Sequence, residues 1–238
     1  MDSKLKNLAL IDIETVSLTH DFQSLPPRIQ EAWAKKSVQL DAEKKDFAAH
    51  YFEKAAIYAE FGKVLVIGIG FFHENEQKEL CLRVKALTNP DEKTLLVEFC
   101  HLMEKGFQTS DLALCAHNGK EFDFPYLCRR MLVNGISLPD YLNISGKKPW
   151  EIRHHDTLEM WKFGDRKNYT SLDLLAAIFN IPSSKNGIDG SMVNTAYYLE
   201  NKLESIVEYC KRDVIVLAQL YLKMHNLALP KEENMYTL

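Results

Sequence analysis

The sequence contains no apolar run approaching the ~18 residues of a membrane span, and its start, Met1-Asp2-Ser3-Lys4-Leu5-Lys6, lacks the long apolar stretch of a signal peptide. No membrane partner is therefore expected, and the expected location is cytoplasmic. Cysteine is sparse: Cys81, Cys100, Cys115, Cys128 and Cys210 are odd in number and form no Cys-x-x-Cys pair. Most lie within apolar runs, which argues against a zinc or disulfide framework and for small core residues in a reducing compartment. An excess of basic charge is also missing, since 29 Lys and Arg stand against 33 Asp and Glu for a net charge of −4. That balance argues against a protein that coats nucleic acid nonspecifically, but it is compatible with an acidic pocket beside a local basic rim. Lys147-Lys148, Arg166-Lys167, Lys185 and Arg129-Arg130 are candidates for such a rim, and each also fits an ordinary solvated face. With no internal repeat and no low-complexity linker, a single domain over residues 1–238 is expected.

The pattern that remains alternates strand and helix signals. A first strand is expected at about 7–14, followed by a helical insertion at about 22–60 that carries Pro26-Pro27, Trp33, Phe47, Tyr51, Phe52 and Tyr58. Residues 64–72 read as a central strand, with 79–87 as its hairpin partner across a turn at 73–77. Gly68-x-Gly70 lies inside that strand and lacks a third glycine at 73, so it is not a dinucleotide loop. Asn89-Pro90-Asp91 opens a helix to about 105, a strand is expected at 111–116, and a helix at 122–133 stops at Gly135. A strand at 151–157 and helices at 171–180, 190–200 and 203–226 complete the order. This succession suits an α/β fold with a mixed sheet of five to six strands and helices on both faces.

Four acids sit where an acid needs a reason. Asp12 and Glu14 interrupt the apolar run Leu8-Ala9-Leu10-Ile11-Asp12-Ile13-Glu14, and residues two apart on a strand point to one face. Either they mark a strand end at the surface, or two side-by-side carboxylates require a cation. Asp123 follows a strand in Asn118-Gly119-Lys120-Glu121-Phe122-Asp123, where it can be a first-turn acid favoured by the helix dipole or a group gathered at the sheet edge. Asp213 shares a helix face with Tyr209, four residues earlier, and with apolar Ile206, Val216 and Leu217. It either faces inward or pairs at the surface with Lys211 or Arg212.

The conjunction of Asp-x-Glu on a first strand, Asn-x-x-x-Phe-Asp after a strand and Tyr-x-x-x-Asp on a late helix resembles the motifs of the DEDD superfamily of 3′–5′ exonucleases. Tyr209 marks the branch with a tyrosine four residues before the last acid; the histidine branch would need His at 208, which is Glu208. The segment Asn118 to Leu127 is similar to the proofreading domain of family-B DNA polymerases. Phe61-Gly62-Lys63, Lys148-Pro149-Trp150-Glu151, His155-Asp156-Thr157, Lys185-Asn186-Gly187-Ile188-Asp189-Gly190-Ser191 and Tyr209-Cys210 resemble stand-alone predicted 3′–5′ exonucleases related to that domain. The resemblance spans about residues 7 to 225.

It implies a ribonuclease-H-like fold and a nuclease that hydrolyses phosphodiesters with two divalent cations, Mg²⁺ or Mn²⁺, about 4 Å apart. By the resemblance, Asp12 bridges both ions, Glu14 and Asp213 complete the first site, Asp123 holds the second ion, and Tyr209 orients the attacking water. Thr15 is expected near the terminal 3′-hydroxyl. Asn118 and Phe122 are expected near the last nucleotides, Phe122 equally fitting plain core packing. The implied substrate is a single-stranded or frayed DNA 3′ end, with RNA 3′-end trimming and a non-catalytic nucleic-acid-binding module as alternatives. His154, His155 and Asp156 are expected to be structural, and Trp150 either joins a strand-binding rim with Lys147 and Lys148 or plugs the core.

Overall fold

The computed structural model describes residues 1–43, 46–165, 169–184, 187 and 189–238; Arg166, Lys167 and Lys185 of the expected basic rim lie outside the described residues. Six strands are β1 (Leu8–Ser17), β2 (Gly62–Glu74), β3 (Leu80–Thr88), β4 (Ala113–Ala116), β5 (His155–Asp156) and β6 (Met235–Thr237). Among the described residues the α-helices are α1 (Pro27–Leu40), α2 (Phe47–Lys54), α3 (Glu92–Gly106), α4 (Asp123–Val133), α5 (Thr157–Lys162), α6 (Leu172–Ile178), α7 (Val193–Tyr198) and α8 (Leu203–Met224). The strands form one mixed sheet in the order β5-β4-β1-β2-β3-β6, in which β1 runs antiparallel to β2 and parallel to β4. This is the α/β arrangement, a mixed sheet with helices on both faces, expected from the sequence. Among the described residues, no helix is long and apolar enough to cross a membrane.

The run Leu8 to Ile13 is almost continuously apolar because both of its faces are covered. Ala9, Ile11 and Ile13 pack with Leu95, Phe99 and Met103 of α3 and Phe124 and Leu127 of α4. Leu8 and Leu10 pack on the opposite face with Val214, Leu217 and Tyr221 of α8. The amphipathic stripes of α3 and α8 thus sandwich the sheet, and β1 lies near its middle.

The insertion forms its own aromatic cluster around Trp33, which is fully buried with Phe61 at 5.0 Å and Tyr51 at 5.5 Å between ring centroids. Its indole N–H donates to the Phe47 carbonyl at 3.0 Å, which joins α1 to α2. Asn194 of α7 anchors this unit to the sheet: its Nδ2 donates to the Phe52 carbonyl at 2.8 Å, and its Oδ1 accepts from the Ser17 N–H at 2.9 Å.

Several sequence expectations need correction. The cap of α3 is Asp91, whose carboxylate accepts from the Thr94 N–H at 2.9 Å, so the helix starts at Glu92, two residues after Pro90. The strand expected at 151–157 shrinks to His155–Asp156, because Pro149–Glu151 is a 3₁₀ turn and the Asp156 side chain turns to cap α5. The helix expected at 190–200 is split into a 3₁₀ turn, Gly190–Met192, and α7. β6 carries no alternating apolar pattern and was not expected; pairing with β3 creates it. Arg130 leaves the proposed basic rim, since it is buried in a bidentate pair with Glu92 at 2.6 and 2.9 Å and also donates to the Ala59 carbonyl at 2.9 Å. Trp150 does not plug the core: it is 77% exposed, with the Lys148 ammonium 5.3 Å above its ring.

His154 and Asp156 have structural work, as expected. His154 Nδ1 accepts from the Leu114 N–H at 3.1 Å, which leaves Nε2 protonated to donate to the Tyr141 carbonyl at 2.8 Å. Burial lowers its pKa to about 4, consistent with the neutral ring this pairing requires. Asp156 accepts from the backbone N–H groups of Asn118, Lys120 and Leu158, so it ties the loop after β4 to the start of α5. His155 packs edge-on against Tyr221 at 5.4 Å.

Candidate active site

Asp12 and Glu14 stand in the middle of β1, which runs on to Ser17, and a register shift between Glu14 and Thr15 re-aims the strand just beyond them. Single ligand atoms of Asp12, Glu14 and Cys210 lie within 4.8 Å of one another. Cys210 belongs to α8, so this distance measures how closely the helix approaches the sheet. Gly68 and Gly70 of β2 permit that approach. A Cβ at Gly68 would lie 2.8 Å from both Cys210 Sγ and Val214 Cγ2, and one at Gly70 would lie 2.6 Å from Val214 Cγ1. Gly68 is the register partner of Asp12, so the missing side chain lies beside the acid pair.

Asp213, less than one turn beyond Cys210, is carried to the same place and is buried. Asp123 reaches the pair from the other side. β4 accompanies β1 only as far as the Leu10–Cys115 pairing, so it offers no partner to β1 beyond that point. The Asp123 carboxylate, at the first position of α4, accepts the Ile13 N–H at 3.1 Å between the two strand acids. The structure therefore gathers Asp12, Glu14, Asp123 and Asp213, and the surface reading of Asp213 fails. Lys211 donates to Glu208 at 2.9 Å, and the Arg212 Nε donates to the Ser184 carbonyl at 2.8 Å.

Crowding these acids has an electrostatic consequence. Burial, reinforced by Asp213, Glu14 and Asp123, raises the Asp12 carboxyl well above the usual carboxylate range, and burial with Asp213 and Asp123 does the same to Glu14. Burial lifts Asp123 to about 7, despite the hydrogen bond from Ile13. Asp213 is also raised by burial, with Ser184 and Tyr209 hydroxyls opposing the shift. At neutral pH this group needs protons or a cation. Asp12 Oδ2 is sealed from solvent and has no hydrogen-bond partner among the described residues. Cys210 Sγ donates to the Asp12 carbonyl at 3.6 Å, and burial with the nearby acids raises its thiol well above the usual range. An unpartnered buried carboxylate oxygen among other carboxylates fits a hard, oxygen-seeking divalent cation.

These acids lie in an open cleft of about 420 Å³. Thr15, Phe122 and Tyr209 line it, as do Lys54 and Ile57 from the insertion, His117, Tyr169 and Asn194. Phe122 is half-buried, 5.3 Å from the Tyr126 ring, so it combines core packing with a face on the cleft. Asn118 does not join the cleft. Its backbone takes the left-handed region at φ 64° to leave β4, its N–H is held by Asp156 at 2.9 Å, and it lines a neighbouring depression with Glu121 and Asp156. Of Lys147, Lys148 and Trp150, none lines the cleft.

His117 was missed by sequence reasoning; its Nδ1 pairs with Thr157 Oγ1 at 2.9 Å and its Nε2 with the Thr170 carbonyl at 2.8 Å, positioning the cleft wall. Tyr169, 65% exposed, meets the His117 ring edge-on at 6.2 Å. No local pattern marks either residue. The two glycines did carry a signal, because glycine inside a strand marks close backbone approach.

Fold and site together define an α/β protein with a carboxylate-lined cleft beside its central strand. A family model described as "Predicted 3'-5' exonuclease related to the exonuclease domain of PolB" matches residues 58–237, and the chain belongs to that family. The matched span holds Asp123, Tyr209 and Asp213, while Asp12 and Glu14 precede it. Among solved structures, the chain is similar to the family B DNA polymerase from the hyperthermophilic archaeon Pyrobaculum calidifontis, at 14% identity and a TM-score of 0.48. That match covers 90% of this chain and 24% of the polymerase, so the chain spans about a quarter of the polymerase's length. No curated protein matches the chain.

Proposed function

We propose that the protein is a metal-dependent 3′–5′ exonuclease that releases nucleoside 5′-monophosphates from single-stranded or frayed DNA 3′ ends. The observation that carries this reading is the buried carboxylate cluster at the floor of an open cleft, with Asp12 Oδ2 unpartnered. Asp12, Glu14, Asp123 and Asp213 would hold two divalent cations, Mg²⁺ or Mn²⁺, which when bound neutralise phosphate charge and activate water. Without them the cluster repels the phosphodiester, so a binding-only role leaves the four acids unexplained.

The remaining residues act by position. Burial and the carboxylates of Asp213 and Glu14 push the Tyr209 hydroxyl of the metal-free site well above its usual range. Tyr209 is placed in the cleft beside those acids to orient the attacking water by hydrogen bonding. The exposed face of Phe122 stacks on the terminal base, and Thr15 approaches the 3′-hydroxyl. Asn118, drawn aside by Asp156, acts only through the loop it anchors.

The test is incubation of purified protein with end-labelled single-stranded DNA and RNA in Mg²⁺, Mn²⁺ or EDTA, beside an Asp12→Ala control. Progressive shortening from the 3′ end of DNA, abolished by EDTA and by the substitution, is expected. No shortening of either strand refutes the enzyme reading, and digestion of RNA alone replaces the DNA substrate with RNA.

A further inference from the structure

A second concavity, about 340 Å³, lies away from the acid cleft, where the C-terminal end of α3 meets β2 and β3. The register of the sheet explains its chemistry. Ile69 and Phe71 of β2 stand opposite Lys85 and Arg83 of β3, so apolar and cationic side chains alternate across neighbouring strands on one face. Leu102 and Phe107 form the facing wall, with Phe107 edge-on to Phe71 at 6.0 Å, and Lys105 stands at its lip. Arg83, Lys85 and Lys105 are exposed, and no ion pair to any of them is present among the described residues. An apolar floor edged by three cations, with Leu238 also in its lining, has the anatomy of a pocket for an apolar anchor with acidic flanks.

We propose that this groove docks an acidic peptide segment of a partner protein, with a bulky apolar side chain seated between Ile69, Phe71, Leu102 and Phe107. Three cations on a chain of net charge −4 form a local complement to acidic residues, and they steer association. The lining favours a peptide side chain over a nucleic-acid strand. Its walls are mostly aliphatic, and its rings already pack edge-on against each other, whereas strand binding relies on exposed ring faces. Because Ile69 lies on the sheet face opposite Gly68, Asp12 and helix α8, docking here leaves the acid cleft open.

The full chain is immobilised and panned against a random-peptide phage library, in parallel with an Arg83→Glu/Lys85→Glu variant. Both side chains are exposed, so the variant is expected to fold, which circular dichroism checks. Enriched peptides are expected to combine acidic residues with Phe, Trp or Leu. As fluorescein-labelled synthetic peptides, they are expected to lose at least about tenfold in affinity on the variant and on replacement of the apolar residue by Ala. Enrichment without acidic bias, no enrichment, or equal binding by the variant overturns the proposal. A fluorescein-labelled oligothymidine that loses affinity on the variant while no acidic peptide binds also overturns it and assigns the groove to nucleic acid.

Discussion

Replacing Asp123 by Asn is expected to stabilise the metal-free protein while disabling the cleft. The carboxyl rises from its ordinary value of 3.8 to about 7 on folding, chiefly through burial. A folded-state pKa above the unfolded one means that the folded chain binds the extra proton between those values, so stability falls as pH rises from about 4 through 7. Above pH 7 the full penalty applies, with a ceiling of about 4 kcal/mol at 1.36 kcal/mol per unit. The cleft is open to water, which lowers the realised gain to about half of that ceiling. Asn keeps an oxygen to accept the Ile13 N–H, so the substitution removes charge without orphaning the strand. For a chain of this length, about 2 kcal/mol corresponds to a rise of roughly 4–8 °C in Tm. The assay is thermal unfolding by circular dichroism in EDTA at pH 8 and near pH 4. The gain should be present at pH 8 and absent at the acidic end, and Mg²⁺ or Mn²⁺ should raise the Tm of the native chain more than that of the variant. A variant less stable than the native chain at pH 8, or equally favoured at both pH values, refutes the electrostatic account.

Gly70→Val should overpack the β2–α8 contact, where even a Cβ would lie 2.6 Å from Val214 Cγ1; a loss of about 1–3 kcal/mol by urea unfolding is expected, with weakened nuclease activity. Arg130→Ala should cost about 3–5 kcal/mol by the same measurement, because Glu92 would be left as a buried, half-satisfied charge between β2 and α4. Trp33→Ala should cost about 3–5 kcal/mol by emptying the aromatic cluster of the insertion, read by urea unfolding. Tyr209→Phe should lower kcat in the end-labelled DNA assay, because the lost hydroxyl lines the cleft beside the acids and orients the attacking water; an unchanged kcat would remove Tyr209 from the reaction.

Much of the site was legible along the chain because its acids interrupt patterns that otherwise bury cleanly. Asp12 and Glu14 break an apolar strand, Asp213 sits on an apolar helical stripe, and both departures from local hydrophobic order survive folding as inward-facing carboxylates. Boundaries were less legible where a side chain took over the backbone's hydrogen bonds. Asp156 caps α5 and draws in the Asn118 loop, which shortens β5 and removes Asn118 from the cleft. Arg130 looked like half of a basic surface pair, and only its neighbour Glu92, 38 positions away, makes it internal.

The sequence by itself determined the alternation of strands and helices and the identity of the acids, since both follow from periodicity and from charge in apolar surroundings. Tertiary structure decided that those acids meet. The absent side chains at Gly68 and Gly70 let α8 lie close against β2, the end of β4 leaves the Ile13 N–H to Asp123, and the insertion lends Lys54 and Ile57 to the cleft wall. It also decided the basic apolar groove, because Phe71 and Arg83 become neighbours only through the β2–β3 register. Contacts between residues far apart in the chain depend on packing distance and register, which local patterns do not encode.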